Sequence, residues 1–124
     1  GESEAAHAHA GETSRAGTHL DRGWRDAADG GWFSYEMAVE KGVSQDLVVS
    51  YWGSDAGPRE FDVMVDGRKL ATQKLQNDQP GKFFDVAYPL PADLLEGKQK
   101  VTVRFQALPG QMAGGAFEVR ILRK

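Results

Sequence analysis

The sequence predicts an all-β fold, an antiparallel β-sandwich of the jelly-roll type. From Trp32 onward apolar and polar residues alternate with a period of two, which is typical of strands that bury one face. Turn signals separate these runs at short intervals, and no long stretch has the periodicity of an amphipathic helix. A chain of 124 residues is also long enough for one domain with a substantial core.

The beginning of the chain has a different character. Residues 1–18 are small and polar with little periodicity, so we expect an irregular N-terminal arm with room for one short strand. Residues 19–124 are expected to form the single sandwich domain.

Seven or eight short strands are expected in that domain. Asp66-Gly67 predicts a hairpin turn, because both residues tolerate positive φ. Ala92–Gly97 predicts one helical turn, and the glycine-rich stretch 108–115 predicts a loop before the last strand. The clearest strands are Trp32–Val39, Leu47–Trp52, the run that starts at Glu60, Lys69–Leu75, Lys82–Tyr88, Lys100–Ala107 and Phe117–Leu122.

Composition excludes several classes of function. The net charge is −3 and the basic residues are scattered, so we expect no nucleic-acid partner. No apolar run approaches the roughly 20 residues that span a bilayer, so no membrane partner is expected. The absence of cysteine excludes disulfides and a cysteine nucleophile. Because the chain starts at Gly1 without an initiator Met or a signal peptide, we expect a module of a longer, multidomain protein.

The sequence does not favour an enzyme. All three histidines precede the first clear strand, and the acidic residues fall mostly on turns or outward strand positions. His7 and His9 could grip a metal only if the arm were ordered, so a solvated arm is favoured. We expect no cofactor, although a structural Ca²⁺ stays open. Its candidate ligands lack EF-hand spacing, which favours plain surface charge; they are Glu4, Glu12, Asp21 and Glu118.

Two tryptophans near loops indicate a binding site. Trp24 lies in a polar stretch, and Trp52 ends a strand just before Gly53-Ser54-Asp55. An indole face can stack on the C–H face of a sugar ring, while planar polar groups bridge vicinal hydroxyls. The expected ligand-binding residues are Trp24, Arg25, Asp26, Trp52, Asp55, Gln106 and Met112.

The same residues also allow structural roles. Trp32 and Tyr35 fit a sandwich core better than a ligand platform, and Arg25-Asp26 fits an ion pair that closes the sandwich end. For Trp24 and Trp52 the sequence favours neither a role in the core nor a role in ligand binding over the other.

The motifs resemble a known module. The chain is similar to the C-terminal β-sandwich of β-L-arabinofuranosidase-type glycoside hydrolases of family 127, and more distantly to galactose-binding-like carbohydrate-binding modules. This resemblance covers nearly the whole chain after residue 11. The motifs that carry it are Trp24-Arg25-Asp26-Ala27, Gly31-Trp32-Phe33-Ser34-Tyr35, Tyr51-Trp52-Gly53-Ser54-Asp55, Arg59-x-Phe61-Asp62-Val63, Asp66-Gly67, Phe84-Asp85, Val101–Ala107 and Ala113-Gly114-Gly115.

The resemblance implies an exported accessory module of a bacterial polysaccharide-degrading enzyme, located outside the cell, in the periplasm or on the cell surface. We therefore expect a non-catalytic carbohydrate-binding module that binds plant or algal polysaccharide. The alternative is a structural module that packs on a catalytic glycoside hydrolase domain of its parent chain. That alternative predicts a contiguous apolar patch on an outer sheet face, with Val48, Met64, Leu122 and one tryptophan as candidates.

Overall fold

The computed structural model describes residues 10–20 and 22–124. Their pairing is antiparallel throughout, which confirms the prediction of an all-β antiparallel sandwich. Among the described residues no helix is long and apolar enough to cross a membrane. The elements are β1 (Ala10–His19), β2 (Arg22–Ala38), β3 (Gln45–Trp52), β4 (Glu60–Val65), β5 (Arg68–Lys74), β6 (Phe83–Pro89), α1 (Ala92–Leu95), β7 (Lys100–Ala107) and β8 (Ala113–Arg123).

The long strand β2 belongs to both layers of the sandwich. Its second half, Trp32–Ala38, pairs with β7, and its first half pairs with β8 over Arg25–Ala27. The order β5-β4-β7-β2-β8-β3-β6 therefore divides at β2. We call the part with β5, β4 and β7 the β7 layer, and the part with β8, β3 and β6 the β3 layer.

The core lies between these layers and follows the predicted alternation. Phe33, Phe61 and Phe105 of the β7 layer are fully buried, as is Tyr51 of the β3 layer. The rings of Tyr51 and Phe61 lie 6.0 Å apart across the interior. Tyr35 belongs to the core as predicted. Trp32 does not, because it points to the outer face of the β7 layer and stays partly exposed.

The start of the chain contains more strand than expected. Where an irregular arm was predicted, residues 10–19 form β1, ten residues long and paired with β2. The segment lacks an alternating pattern because most of its residues are exposed and none is buried, so its order comes from backbone pairing. The rest of the expected arm, residues 1–9, lies outside the described part of the chain.

Candidate functional site

A cleft of about 270 Å³ opens at one end of the β3 layer, where the β1–β2 hairpin meets the loop after β3. Its lining combines aromatic rings with charged and planar polar groups. The residues that line it are Arg15, Thr18, His19, Trp24, Asp26, Trp52, Asp55, Arg59, Gly115 and Phe117.

Trp24 forms one wall of this cleft. It pairs with Gly17 of β1, and its indole lies against the Gly17 backbone so closely that a Cβ at Gly17 would come within 2.5 Å of the ring atom Cζ2. On the other side, a Cβ at Gly115 would lie 3.5 Å from Cβ of Trp24. Because neither Gly17 nor Gly115 has a side chain, this partly exposed indole can pack directly against the backbone, which sets its position.

Trp52, which also lines the cleft, is held in a cluster of rings. Its ring centroid lies 4.5 Å from that of His19 and 4.8 Å from that of Phe83, both in edge-on geometry. Phe83 in turn contacts Phe117 at 4.9 Å. Edge-on packing is favourable for aromatic pairs and fixes the orientation of the indole while it stays partly exposed.

Asp26 lies at the base of the cleft beneath Arg15. The carboxylate is only 3 % exposed, and Nε of Arg15 donates a hydrogen bond to its Oδ1 at 3.1 Å. The Arg15 side chain is itself 68 % exposed and lies 5.9 Å from the Trp24 ring centroid. Removing Arg15 would therefore leave the Asp26 carboxylate buried without this charge partner, which is costly.

Asp55 brings a second carboxylate into the cleft. Partial burial raises the pKa of Asp55 from its ordinary value, and the nearby charge of Asp26 acts in the same direction. Arg59, His19 and a hydrogen bond from the Gly115 backbone lower that pKa in part. The Arg59 guanidinium is anchored to the backbone, with Nη1 2.9 Å from the Gly114 carbonyl oxygen.

Four of the seven residues predicted from the sequence line this cleft, and three do not. Trp24, Asp26, Trp52 and Asp55 lie together in it. Arg25 alternates to the other face of β2, where its Nη1 donates to Ser14 Oγ at 2.7 Å.

The other two predicted residues lie elsewhere. Gln106 lies on the outer face of the β7 layer and donates to the Gly30 carbonyl oxygen at 2.9 Å. Met112 lies in the loop before β8, with its backbone nitrogen bonded to the Pro58 carbonyl oxygen.

The remaining lining residues were hard to predict from the sequence. Arg15, Thr18 and His19 come from β1, which lacks a strand pattern, and Arg59 lies in a loop. Strict alternation with Val119 and Ile121 predicts that Phe117 faces the core. It instead follows an irregularity in the β3–β8 pairing and joins the cleft wall.

The arrangement offers stacking surfaces and planar hydrogen-bonding groups. The carboxylates of Asp26 and Asp55 and the guanidinium-bearing Arg15 and Arg59 line the same cleft as two partly exposed indoles. Within the described residues no group of three or more histidine and acidic side chains could hold a metal ion. Of the suggested metal ligands, Glu4, His7, His9 and Asp21 lie outside those residues.

A second, larger cavity lies at the opposite end of the sandwich. Its volume is about 740 Å³, and its lining from the segments before β3 and around α1 contains no aromatic side chain. Without a ring on which to stack a ligand, it is the weaker candidate for a sugar.

Comparison with models of known protein families shows the family of this chain. The model of the family described as "Family of unknown function (DUF6805)" matches residues 1–122. The chain belongs to DUF6805. No curated protein matches this DUF6805 chain.

Solved structures share the fold of this DUF6805 chain. A family 35 carbohydrate-binding module from Clostridium thermocellum is similar with a TM-score of 0.68 and 10 % identity, over 91 % of this chain and 90 % of that one. A family 35 module from an environmental isolate gives a TM-score of 0.71 and 13 % identity, over 90 % and 83 %. An exo-β-1,3-galactanase from Phanerochaete chrysosporium gives 0.66 and 14 %, over 92 % of this chain and 26 % of that one. At these identities the likeness shows the fold.

Neutralising Asp55 is expected to stabilise the fold. A carboxyl whose pKa is raised on folding binds its proton more tightly in the folded state, so its ionisation opposes folding above that pKa. Asp55→Asn keeps an acceptor for the Gly115 amide and should therefore be slightly more stable than the wild type at pH 7. The difference should shrink as the pH falls through the carboxyl range near 4. Urea denaturation at both pH values measures it, and a variant less stable than the wild type at pH 7 would contradict this account.

Proposed function

We propose that this protein is a non-catalytic carbohydrate-binding module whose cleft between Trp24 and Trp52 holds a sugar ring of a plant or algal polysaccharide. The observation that carries the proposal is the convergence of two partly exposed indoles with planar polar groups in one cleft. Stacking on the indoles buries the apolar C–H face of a sugar, and the carboxylates and guanidinium groups orient its hydroxyls.

The fold supports this assignment. Carbohydrate-binding modules of family 35 have the same sandwich over nearly their whole length. Part of an exo-β-1,3-galactanase chain has it too, so this sandwich also occurs within a larger polysaccharide-degrading enzyme. Together with the resemblance to the family 127 sandwich, this supports an accessory module joined to a catalytic domain in an exported bacterial enzyme. Such a role needs no cofactor and no catalytic residue in this chain.

The packing alternative has less support. The apolar patch that it requires is divided, because Met64 lies on the outer face of the β7 layer while Val48 and Leu122 lie on that of the β3 layer. On the β3 layer the outer face also carries the ion pair between Arg120 and Asp85 at 3.1 Å. A divided patch interrupted by charge is a poor interface core.

Native gels cast with arabinose-rich, galacturonan and xylan polysaccharides test the proposal. We expect the wild-type protein to be retarded in at least one gel, and Trp52→Ala and Trp24→Ala to lose most of that retardation. Because both side chains are partly exposed, each variant should stay folded, which a thermal melt checks. Leu122→Ala, which removes a 45 % exposed leucine away from the cleft, is the matched control. Folded tryptophan variants that migrate like the wild type in every retarding gel would refute the cleft as the binding site.

A further inference from the structure

The outer face of the β7 layer carries a row of side chains that the cleft does not use. Trp32 pairs directly with Gln106, Gln106 with Asp62, and Asp62 with Thr72. Glu12 of β1 pairs with Trp32 and extends the row. Residues that pair directly across antiparallel strands point to the same face. The row therefore crosses five strands and spans roughly 19 Å at the usual strand spacing.

Trp32 is the aromatic residue of this row, and the guanidinium group of Arg104 stacks on its ring. The Arg104 guanidinium carbon lies 4.1 Å from the ring centroid of Trp32, at stacking distance. Arg104 is held there by Gln106, whose Oε1 accepts from Nε at 3.1 Å and from Nη2 at 2.5 Å. Nε2 of Gln106 is fixed in turn by the Gly30 carbonyl oxygen at 2.9 Å. Indole and guanidinium thus form one preorganised platform on a rigid strand pair.

The rest of the row supplies polar groups at the same level. Thr72 Oγ1 donates to Asp62 Oδ1 at 2.8 Å, so the carboxylate is oriented beside the platform. Trp32, Arg104, Gln106 and Asp62 are all only partly buried. A stacking surface with fixed planar donors and acceptors beside it is the chemistry that recognises a sugar ring.

We propose that this row is a second binding site, independent of the cleft, for an internal stretch of a neutral polysaccharide chain. An internal stretch fits because the row crosses the whole width of the layer on a sheet face, whereas the cleft lies at the loop end. A neutral chain fits because the carboxylates of Glu12 and Asp62 flank the platform and repel a polyanion. The positive charge of Arg104 already interacts with the Trp32 ring and the Gln106 side chain, so it offsets this repulsion only in part.

Two binding sites on one module should raise its affinity for a polysaccharide chain long enough to contact both. A long chain that contacts both sites is held more tightly than a short oligosaccharide that reaches only one. Retention on a long neutral polysaccharide should therefore fall by about tenfold or more in Trp32→Ala. The same substitution should leave the affinity for a ligand confined to the cleft unchanged.

The test compares Trp32→Ala, Trp24→Ala, Trp52→Ala and the Trp32→Ala/Trp52→Ala double variant by affinity electrophoresis in xylan, arabinan and galacturonan gels. Calorimetric titration with short oligosaccharides of each polysaccharide gives the binding stoichiometry. Arg104→Lys keeps the charge but loses the planar fork, so it should weaken retention while leaving the Trp32 ring in place. Leu122→Ala on the other layer is the control for losing an exposed apolar side chain. We expect each single variant to keep part of the retardation and the double variant to lose all of it.

The outcomes separate the two sites. If Trp32→Ala and Arg104→Lys migrate like the wild type in every gel, the sheet-face site is refuted whatever the cleft does. If Trp32→Ala loses retardation while Trp52→Ala and Trp24→Ala keep it, the cleft proposal fails and the sheet-face site stands. Retention only on galacturonan would overturn the neutral class.

Discussion

Gly53→Ala is expected to cost about 3 kcal/mol of stability or more, at the upper end of the range for steric overpacking. A Cβ at Gly53 would lie 1.8 Å from the carbonyl oxygen of Gln79 and 2.6 Å from its carbonyl carbon. These are backbone atoms, so no side-chain rotation relieves the clash. The backbone must move instead.

The surrounding hydrogen bonds resist that movement. The Gly53 amide donates to the Lys82 carbonyl oxygen at 2.7 Å, and the Gln79 amide donates to the Gly53 carbonyl oxygen at 3.2 Å. Ser54 Oγ accepts a further bond from the Gly81 amide at 2.7 Å. The loop after β3 is thereby attached to the loop before β6. Because this loop carries Asp55 and follows Trp52, its displacement should also weaken sugar binding.

Chemical denaturation of the variant measures the cost. The matched control is Gly23→Ala, since a Cβ at Gly23 would meet nothing closer than the Gly17 carbonyl oxygen at 3.9 Å. The control should unfold at nearly the wild-type midpoint. A Gly53→Ala variant as stable as that control would mean that the two loops do not approach each other as described.

The sequence predicted the fold where burial imposes an alternating pattern. From Trp32 onward one face of each strand packs in the core, so the residue types themselves show the strands. The turn at Asp66-Gly67 was predictable for a different reason, since both residues have positive φ there and both tolerate it. β1 and the first half of β2 gave no such signal. Most of their side chains are exposed or only partly buried, and their order depends on strand pairing that composition does not show.

The same limit explains what could be predicted of the cleft. Trp24 and Trp52 were identifiable because large aromatic residues next to polar loops are unusual. Asp26 and Asp55 were predicted with them because they lie close by in the sequence. Arg15 and His19 were missed because their strand was missed. Gln106 was placed with the cleft because its residue type suits a sugar, but facing depends on register, and register puts it beside Trp32 on the other layer.

Gly17→Ala should weaken binding at the cleft by at least about tenfold, a factor that corresponds to 1.4 kcal/mol, while leaving the fold intact. The new Cβ would lie 2.5 Å from Cζ2 and 2.8 Å from Cε2 of Trp24. Carbon atoms pack at about 3.5–4.0 Å, so the indole must move by roughly 1 Å. Strand pairing holds the backbone of β1 and β2, and the partly exposed ring is the part that is free to give way.

This substitution separates positioning from packing. Trp24→Ala removes the ring, whereas Gly17→Ala keeps its full surface and changes only its place. If Trp24 stacks on the sugar, a displaced indole loses the ligand although the protein melts at nearly the wild-type temperature. Calorimetric titration with the polysaccharide that retards the wild type measures the loss, and Gly23→Ala on the facing strand is the control. Undiminished affinity in a folded Gly17→Ala protein would mean that the ligand does not depend on where Trp24 lies, and the stacking role would pass to Trp52 alone.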